Sequence, residues 1–172
     1  MENSKNTSIN NRLPRLYHSL EKLEICGENV LDQLDCIMDF GCGQYPVHVF
    51  NWALKHKKNV HQYDPYWNIN HYYQSNKSKD EVWGLCISNV LNVVEDWSEV
   101  LISGIEAVPL PEGPQIIVCT VYEGDRTEVT KQTTKGIQQN KPLAHYLGYC
   151  RSFIDGYHWF IRNNMLIGER IR

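Results

Sequence analysis

The chain has 172 residues, 42% of them hydrophobic and 22% charged, which fits one domain with a sizeable core and an ordinary soluble composition. Its formal net charge of -3 excludes a strong global field for nucleic acid, leaving room only for a local basic patch. No apolar run approaches the ~20 residues of a membrane span, so a cytoplasmic protein without a membrane partner is expected.

In chain order, Met1–Asn11 is polar, without the apolar segment of a signal peptide, and is expected to be a disordered or extended lead-in to a single domain over 12–172. Leu13 to Leu23 predicts a helix beginning near Pro14, with Leu16, Leu20 and Leu23 on one face and Gly27 ending it. Cys36–Asp39 reads as a buried strand. Val47 to Lys57 predicts a helix whose apolar face is Val49, Phe50, Ala53 and Leu54, with Lys55, Lys57 and Lys58 complementing its C-terminal dipole. Val60 to Tyr63 is a second strand. Asn68 to Asp80 is polar and too short for a full third strand and helix. Val82 to Ile87 reads as the fourth strand, Asp96 as a helix cap, and Trp97 to Val108 as the most regular helix. A fifth strand follows over Gln115 to Val121. Tyr122 to Pro142 reads as a long polar loop carrying Arg126, Lys131, Lys135 and Lys141, a candidate lid or substrate surface. A helix from Leu143 and a terminal hairpin, Tyr157 to Ile161 and Met165 to Glu169 around Asn163-Asn164, complete the chain.

The chemistry concentrates at Asp39-Phe40-Gly41-Cys42-Gly43, where a strand runs into two closely spaced glycines. Glycine there lets the backbone bend sharply and approach a ligand. Asp64 closes the next strand about 20 residues on, the interval of a βαβ unit, and is placed to accept ribose hydroxyls. A nucleoside-bearing cofactor follows. A dinucleotide turn would need a third glycine, and Pro46 stands there, so a nicotinamide cofactor is disfavoured. An acid ahead of the glycines suits an amino group or a sulfonium better than a pyrophosphate. Pro65, Tyr66 and Trp67 would wall the adenine. The six cysteines form no Cys-x-x-Cys pair and the seven histidines no metal spacing, so no metal site is expected. Cys42 has no evident base to make it a nucleophile.

Asp-Phe-Gly-Cys-Gly resembles the first motif of class I S-adenosylmethionine-dependent methyltransferases. Tyr63-Asp64-Pro65-Tyr66, Leu91-Asn92-Val93-Val94-Glu95-Asp96, Arg12-Leu13-Pro14-Arg15 and Thr134-Lys135-Gly136-Ile137-Gln138 look like the DNA phosphorothioation-associated methyltransferase-like proteins. That subgroup usually continues its turn with Gly and then Asp, where this chain has Tyr45 and Val47.

The resemblance implies an α/β, Rossmann-like class I methyltransferase sheet: mainly parallel, with an antiparallel last strand, order 3-2-1-4-5-7-6, and the third strand short or absent. It implies S-adenosylmethionine or S-adenosylhomocysteine held by Asp39, Phe40, Gly41, Cys42, Gly43, Asp64, Pro65, Tyr66, Ser88, Asn89 and Leu91. Asn89 and Asn92 are the catalytic candidates, orienting an acceptor through an amide oxygen. The fourth-strand motif has no Pro-Cys, which disfavours methylation at cytosine carbon-5. The acceptor is left open as a small molecule, a nucleotide, or nucleic acid presented by a partner. A non-catalytic cofactor-binding module is the alternative.

Overall fold

The computed structural model describes residues 12–67, 69–73, 81–123, 129–133 and 136–171. The expected lead-in over 1–11, most of the polar stretch 68–80, and Arg126, Thr134 and Lys135 lie outside them. The chain first forms helix α1 (Arg15–Leu20), a small hairpin of β1 (Glu24–Ile25) and β2 (Glu28–Asn29), and the single turn α2 (Val30–Gln33). Then come β3 (Cys36–Phe40), α3 (Val47–Lys55), β4 (Asn59–Asp64), β5 (Ile69–Tyr73), β6 (Trp83–Ser88), α4 (Trp97–Ala107) and β7 (Ile116–Thr120). A second hairpin, β8 (Thr130–Thr133) and β9 (Gly136–Gln139), precedes α5 (Leu143–Phe153), β10 (Tyr157–Arg162) and β11 (Met165–Arg170).

Seven strands make one mixed sheet in the order β5-β4-β3-β6-β7-β11-β10. β4, β3, β6 and β7 run parallel, while β11 inserts antiparallel between β7 and β10. With β3 as first strand, this is the expected 3-2-1-4-5-7-6 order. β3 is central because it is apolar on both faces: all five of its residues are buried.

Successive side chains of a strand point to opposite faces, and each face has its own core. Ile37, Val60, Cys86, Val118 and Ile167 face α1 and α3, which contribute Leu16, Tyr17, Leu20, Val49, Trp52 and Ala53. Met38, Leu85, Ile117 and Leu166 face α4 and α5, which contribute Trp97, Leu101, Leu143, Tyr146 and Cys150. Each Val, Leu, Ile or Met among them, fully buried, contributes roughly 1.5–3 kcal/mol. Gly104 lets α4 lie close on the sheet: a Cβ there would stand 3.3 Å from Ile87 and 3.4 Å from Phe40.

Several expectations are corrected. Of the expected short or absent third strand the structure has the short form, the five-residue β5, but it runs antiparallel to β4 rather than parallel. A hairpin partner needs only a short turn, so no crossover helix is required. The stretch from Tyr122 to Pro142 is not wholly loop, since β8 and β9 pair within it. The first helix ends at Leu20, and Gly27 belongs to the β1–β2 turn, where Cys26 and Gly27 have φ of 53° and 86°. Two consecutive positive φ values make the kind of turn that matches strand twist, so the hairpin wins over helix extension. In α3, Leu54 is exposed and Trp52 takes the buried position. Elsewhere the local signals agree with the structure: Asp96 caps α4 through the Glu99 amide at 3.0 Å, and Asn163 and Asn164 turn the last hairpin at φ 51° and 59°. Among the described residues no helix is long and apolar enough to cross a membrane.

Candidate functional site

The C-terminal end of β3 opens between β4 and β6, with which it pairs on either side. The chain turns there through Gly41 and Gly43, at φ 74° and 72°. The turn is closed from within. The Gly41 and Cys42 amides donate to the Tyr63 carbonyl at 2.7 and 3.4 Å, and the Gly43 amide donates to Asp64 Oδ2 at 2.8 Å. Asp64 Oδ1 accepts from the Tyr66 and Trp67 amides at 3.0 and 3.2 Å. One carboxylate thus fastens the glycine turn to the turn after β4. Three amides that could have cradled a phosphate are engaged inside the protein.

Asp39 is 2% exposed and faces α1. Tyr17 donates to its Oδ1 at 2.5 Å, and Gln62 to its Oδ2 at 3.1 Å; Gln62 also reaches the Pro46 carbonyl at 2.8 Å. Burial pushes the Asp39 carboxyl up to about 6, against the lowering effect of the Tyr17 and Gln62 hydrogen bonds, and the Asp64 charge adds to the rise. Burial, followed by both carboxylates, pushes the Cys42 thiol well above its ordinary range. Cys42 therefore stays a thiol at neutral pH, which is the wrong state for a nucleophile.

Beyond β6, the Ser88 and Thr120 hydroxyls lie 3.3 Å apart at the ends of adjacent strands. Asn89 adopts a left-handed φ of 55°, and its amide donates to the Thr120 carbonyl at 2.8 Å. That bend brings Val90 over the glycine turn: a Cβ on Gly41 would stand 2.5 Å from Val90 Cγ2. Leu91 is fully buried in the core beneath α4 and α5. Asn92 is also buried, and its Oδ1 has no hydrogen-bond partner among the described residues; the Tyr66 and Tyr146 hydroxyls share that condition. The Gln139 amide donates to the Asn92 carbonyl at 2.7 Å, and the Gln139 side chain donates to the Val94 and Glu95 carbonyls, fixing β9 on this segment.

The structure thus brings Asp39, Gly41, Gly43 and Asp64 to one turn, with Phe40 and Cys42 inside it. Pro65 is exposed and Tyr66 half-buried, its ring 5.3 Å from Trp67. Asn89 joins the turn through Val90, whereas Asn92 belongs to a second corner, under β9. Lys131 is exposed on β8 and Lys141 half-buried beside α5. Among the described residues no group of three or more His, Cys, Asp or Glu is placed to hold a metal ion.

Sequence reasoning missed Tyr17, Gln62, Val90 and Gln139. The first two had a signal: Tyr17 lies beside Leu16 on the apolar side of α1, and Gln62 is two residues from Val60, on its face of β4. A polar group on an inward face needs a buried partner. Gln139 had none, because its partners lie more than forty residues away. No protein-family model, no curated protein and no solved structure matches the chain.

Proposed function

We propose that the protein is an S-adenosylmethionine-dependent methyltransferase of class I architecture, with its cofactor at the Gly41–Gly43 turn. One observation carries the reading. Asp39 and Asp64 bracket the turn, and the hydrogen-bond partners described for each are neutral: Tyr17, Gln62 and backbone amides. Two carboxylates with no neutralising cation bonded to them among the described residues favour a ligand bearing an ammonium and a sulfonium, and they repel a pyrophosphate. The strand order, with the last strand β11 inserted antiparallel between β7 and β10, supports the same reading.

The residues fit that cofactor. Asp64 Oδ2 accepts one N–H and retains a second acceptor site for a ribose hydroxyl. Asp39 makes the amino acid end electrostatically favourable, and the Tyr66 hydroxyl, buried and without a partner among the described residues, lies two residues beyond Asp64. Ser88 and Asn89 border the turn from β6. When bound, the cofactor supplies an electrophilic methyl group. The protein's own part is to hold an acceptor in line with it, worth on the order of 7–11 kcal/mol in favourable cases.

A second reading has its own observation. Val90 covers Gly41, so a ligand over the turn must displace it, and the chain would then be a non-catalytic binding module if no acceptor site forms. Titration calorimetry with S-adenosylmethionine, S-adenosylhomocysteine and NAD tests the proposal. Binding of the sulfur cofactors is expected; binding of NAD alone, or of none, overturns it. Transfer of tritiated methyl into fractionated lysate then separates enzyme from module.

A further inference from the structure

Beneath the glycine turn, a closed polar cluster sits inside an otherwise apolar layer. Asp39 is 2% exposed, and its two oxygens take one donor each: the Tyr17 hydroxyl on Oδ1 at 2.5 Å and the Gln62 amide on Oδ2 at 3.1 Å. The same Gln62 nitrogen donates to the Pro46 carbonyl at 2.8 Å. β4 therefore holds the turn at two points, Asp64 at Gly43 and Gln62 at Pro46, and the second point shares its donor with Asp39. Tyr17 is itself fixed. Its ring stands 4.8 Å from Trp52, whose Nε1 donates to Glu21 Oε1 at 2.8 Å, and His56 Nε2 lies 3.1 Å from the same oxygen.

The ionisable groups that bear on Asp39 are Tyr17 from α1, Cys86 from β6, Cys42 in the turn and Asp64 from the end of β4, and none of them is a cation. Burial holds Tyr17, Cys86 and Cys42 in their neutral forms. From α3, Val49, Trp52 and Ala53 enter this layer; its His56 is paired with Glu21, and His48 is half-buried in its first turn. The Asp39 carboxylate is thus penalised by burial and repelled by Asp64, and two neutral donors oppose both effects. A positive charge arriving at the turn supplies what the cluster lacks.

We propose that the Tyr17–Asp39–Gln62 cluster links ligand binding to a proton: on the acid side of neutrality Asp39 keeps its proton in the free protein and releases it to solvent when a cationic ligand occupies the turn. The proposal rests on reading the turn as the site of a sulfonium cofactor. Linkage fixes the sign. Asp39 ionises at about 6 in the free protein and lower in the complex, so affinity is highest above pH 7 and falls as pH drops through about 6. Tyr17 is a positioning residue, because its hydroxyl favours the charged form of Asp39 without reaching the ligand.

The test is calorimetric titration of the full chain with S-adenosylmethionine between pH 5 and pH 7.5, repeated at pH 5.5 in two buffers of unequal ionisation enthalpy. Affinity should rise about five- to ten-fold across the range, and about half a proton or more should be released per ligand at pH 5.5. Neutral 5′-methylthioadenosine, which keeps the nucleoside and lacks both cationic groups, should vary by less than about two-fold. Asp39→Asn should flatten the S-adenosylmethionine profile and abolish the proton release. Tyr17→Phe should move the midpoint to higher pH, and His48→Gln should leave it in place. A flat wild-type profile, binding without proton release, an unaltered profile in Asp39→Asn, or a profile lost in His48→Gln would overturn the proposal and leave the methyltransferase reading intact. Equal pH dependence for 5′-methylthioadenosine would overturn it too, since acid would then be weakening the turn itself. Absence of S-adenosylmethionine binding at every pH would remove both readings.

Discussion

The Gly43 amide donates to Asp64 Oδ2 at 2.8 Å across 21 positions of chain. This one bond joins the two features that suggest a cofactor, the glycine turn and the acid after the neighbouring strand. Asp64 also caps its own turn through Tyr66 and Trp67. It is a fastening for two loops as well as the candidate ribose ligand.

Asp64→Ala should therefore act twice. Loss of a charge-assisted contact costs on the order of 1.5–3 kcal/mol of cofactor affinity, and the loosened turns lower the melting temperature as well. Asp64→Asn keeps an oxygen for Tyr66 and Trp67 but can present its NH₂ to the Gly43 amide, so it should weaken binding with a smaller stability loss. Calorimetry with S-adenosylhomocysteine beside a thermal melt reads both effects. Unchanged affinity in a folded Asp64→Ala variant would remove Asp64 from the site.

Gly41→Ala meets two obstacles, the left-handed φ of 74° and Val90 Cγ2 at 2.5 Å. The conformation costs roughly 1–2 kcal/mol and the overlap on the order of 1–3 kcal/mol. Gly41→Ala with Val90→Ala should recover the second part and not the first. Denaturant unfolding of the wild type, both single variants and the double variant separates them. Strict additivity would show that Val90 does not press on the turn.

Asp39 makes stability depend on pH. Its folded ionisation, near 6, lies above the ordinary carboxylate value of about 4. The native state then binds this proton more tightly than the unfolded chain, so the contribution to stability falls as pH rises from about 4 to about 6 and levels off above. Tyr17→Phe deletes a donor that favours the charged form, which moves the ionisation further up. The variant should be destabilised by about 1.5–3 kcal/mol at pH 7.5 and by less at pH 4. An equal loss at both pH values would mean that Tyr17 acts by packing alone.

Gln139 holds the β8–β9 hairpin to the segment after β6 by one main-chain and two side-chain bonds. Gln139→Leu fills the same space without those side-chain donors, leaving the Val94 and Glu95 carbonyls unmatched. Limited proteolysis should then cut between 122 and 141 several-fold faster, while Asn163-Asn164 stays as resistant as before. Uniform acceleration at both places would point to global destabilisation instead.

Replacing Lys131, Lys135 and Lys141 by Ala should alter substrate handling and leave S-adenosylhomocysteine affinity where it was, because the described lysines lie on β8 and beside α5, away from the Gly41–Gly43 turn. The chain alone should transfer little or no methyl to bare duplex DNA. Its net charge of -3 gives no overall attraction for the phosphate backbone, which dominates non-specific DNA affinity. Robust labelling of purified DNA by the isolated chain would contradict this.

The sequence by itself determined what depends on near neighbours. The apolar run Cys36–Asp39 marked a buried strand by its composition, while Asp96 capping the helix after it and Asn163-Asn164 turning a hairpin rest on bonds within a few residues. It also marked Asp39, Gly41, Gly43 and Asp64 as one constellation, through strand periodicity and spacing. Only the tertiary structure decided how they are held. Tyr17 and Gln62 reach Asp39 across 22 and 23 positions, and Gln139 reaches Val94 across 45. The third strand went the same way: its residues read as polar irregular chain, and pairing with the open edge of β4 made Ile69–Tyr73 a strand. An edge supplies hydrogen-bond partners that no local pattern encodes.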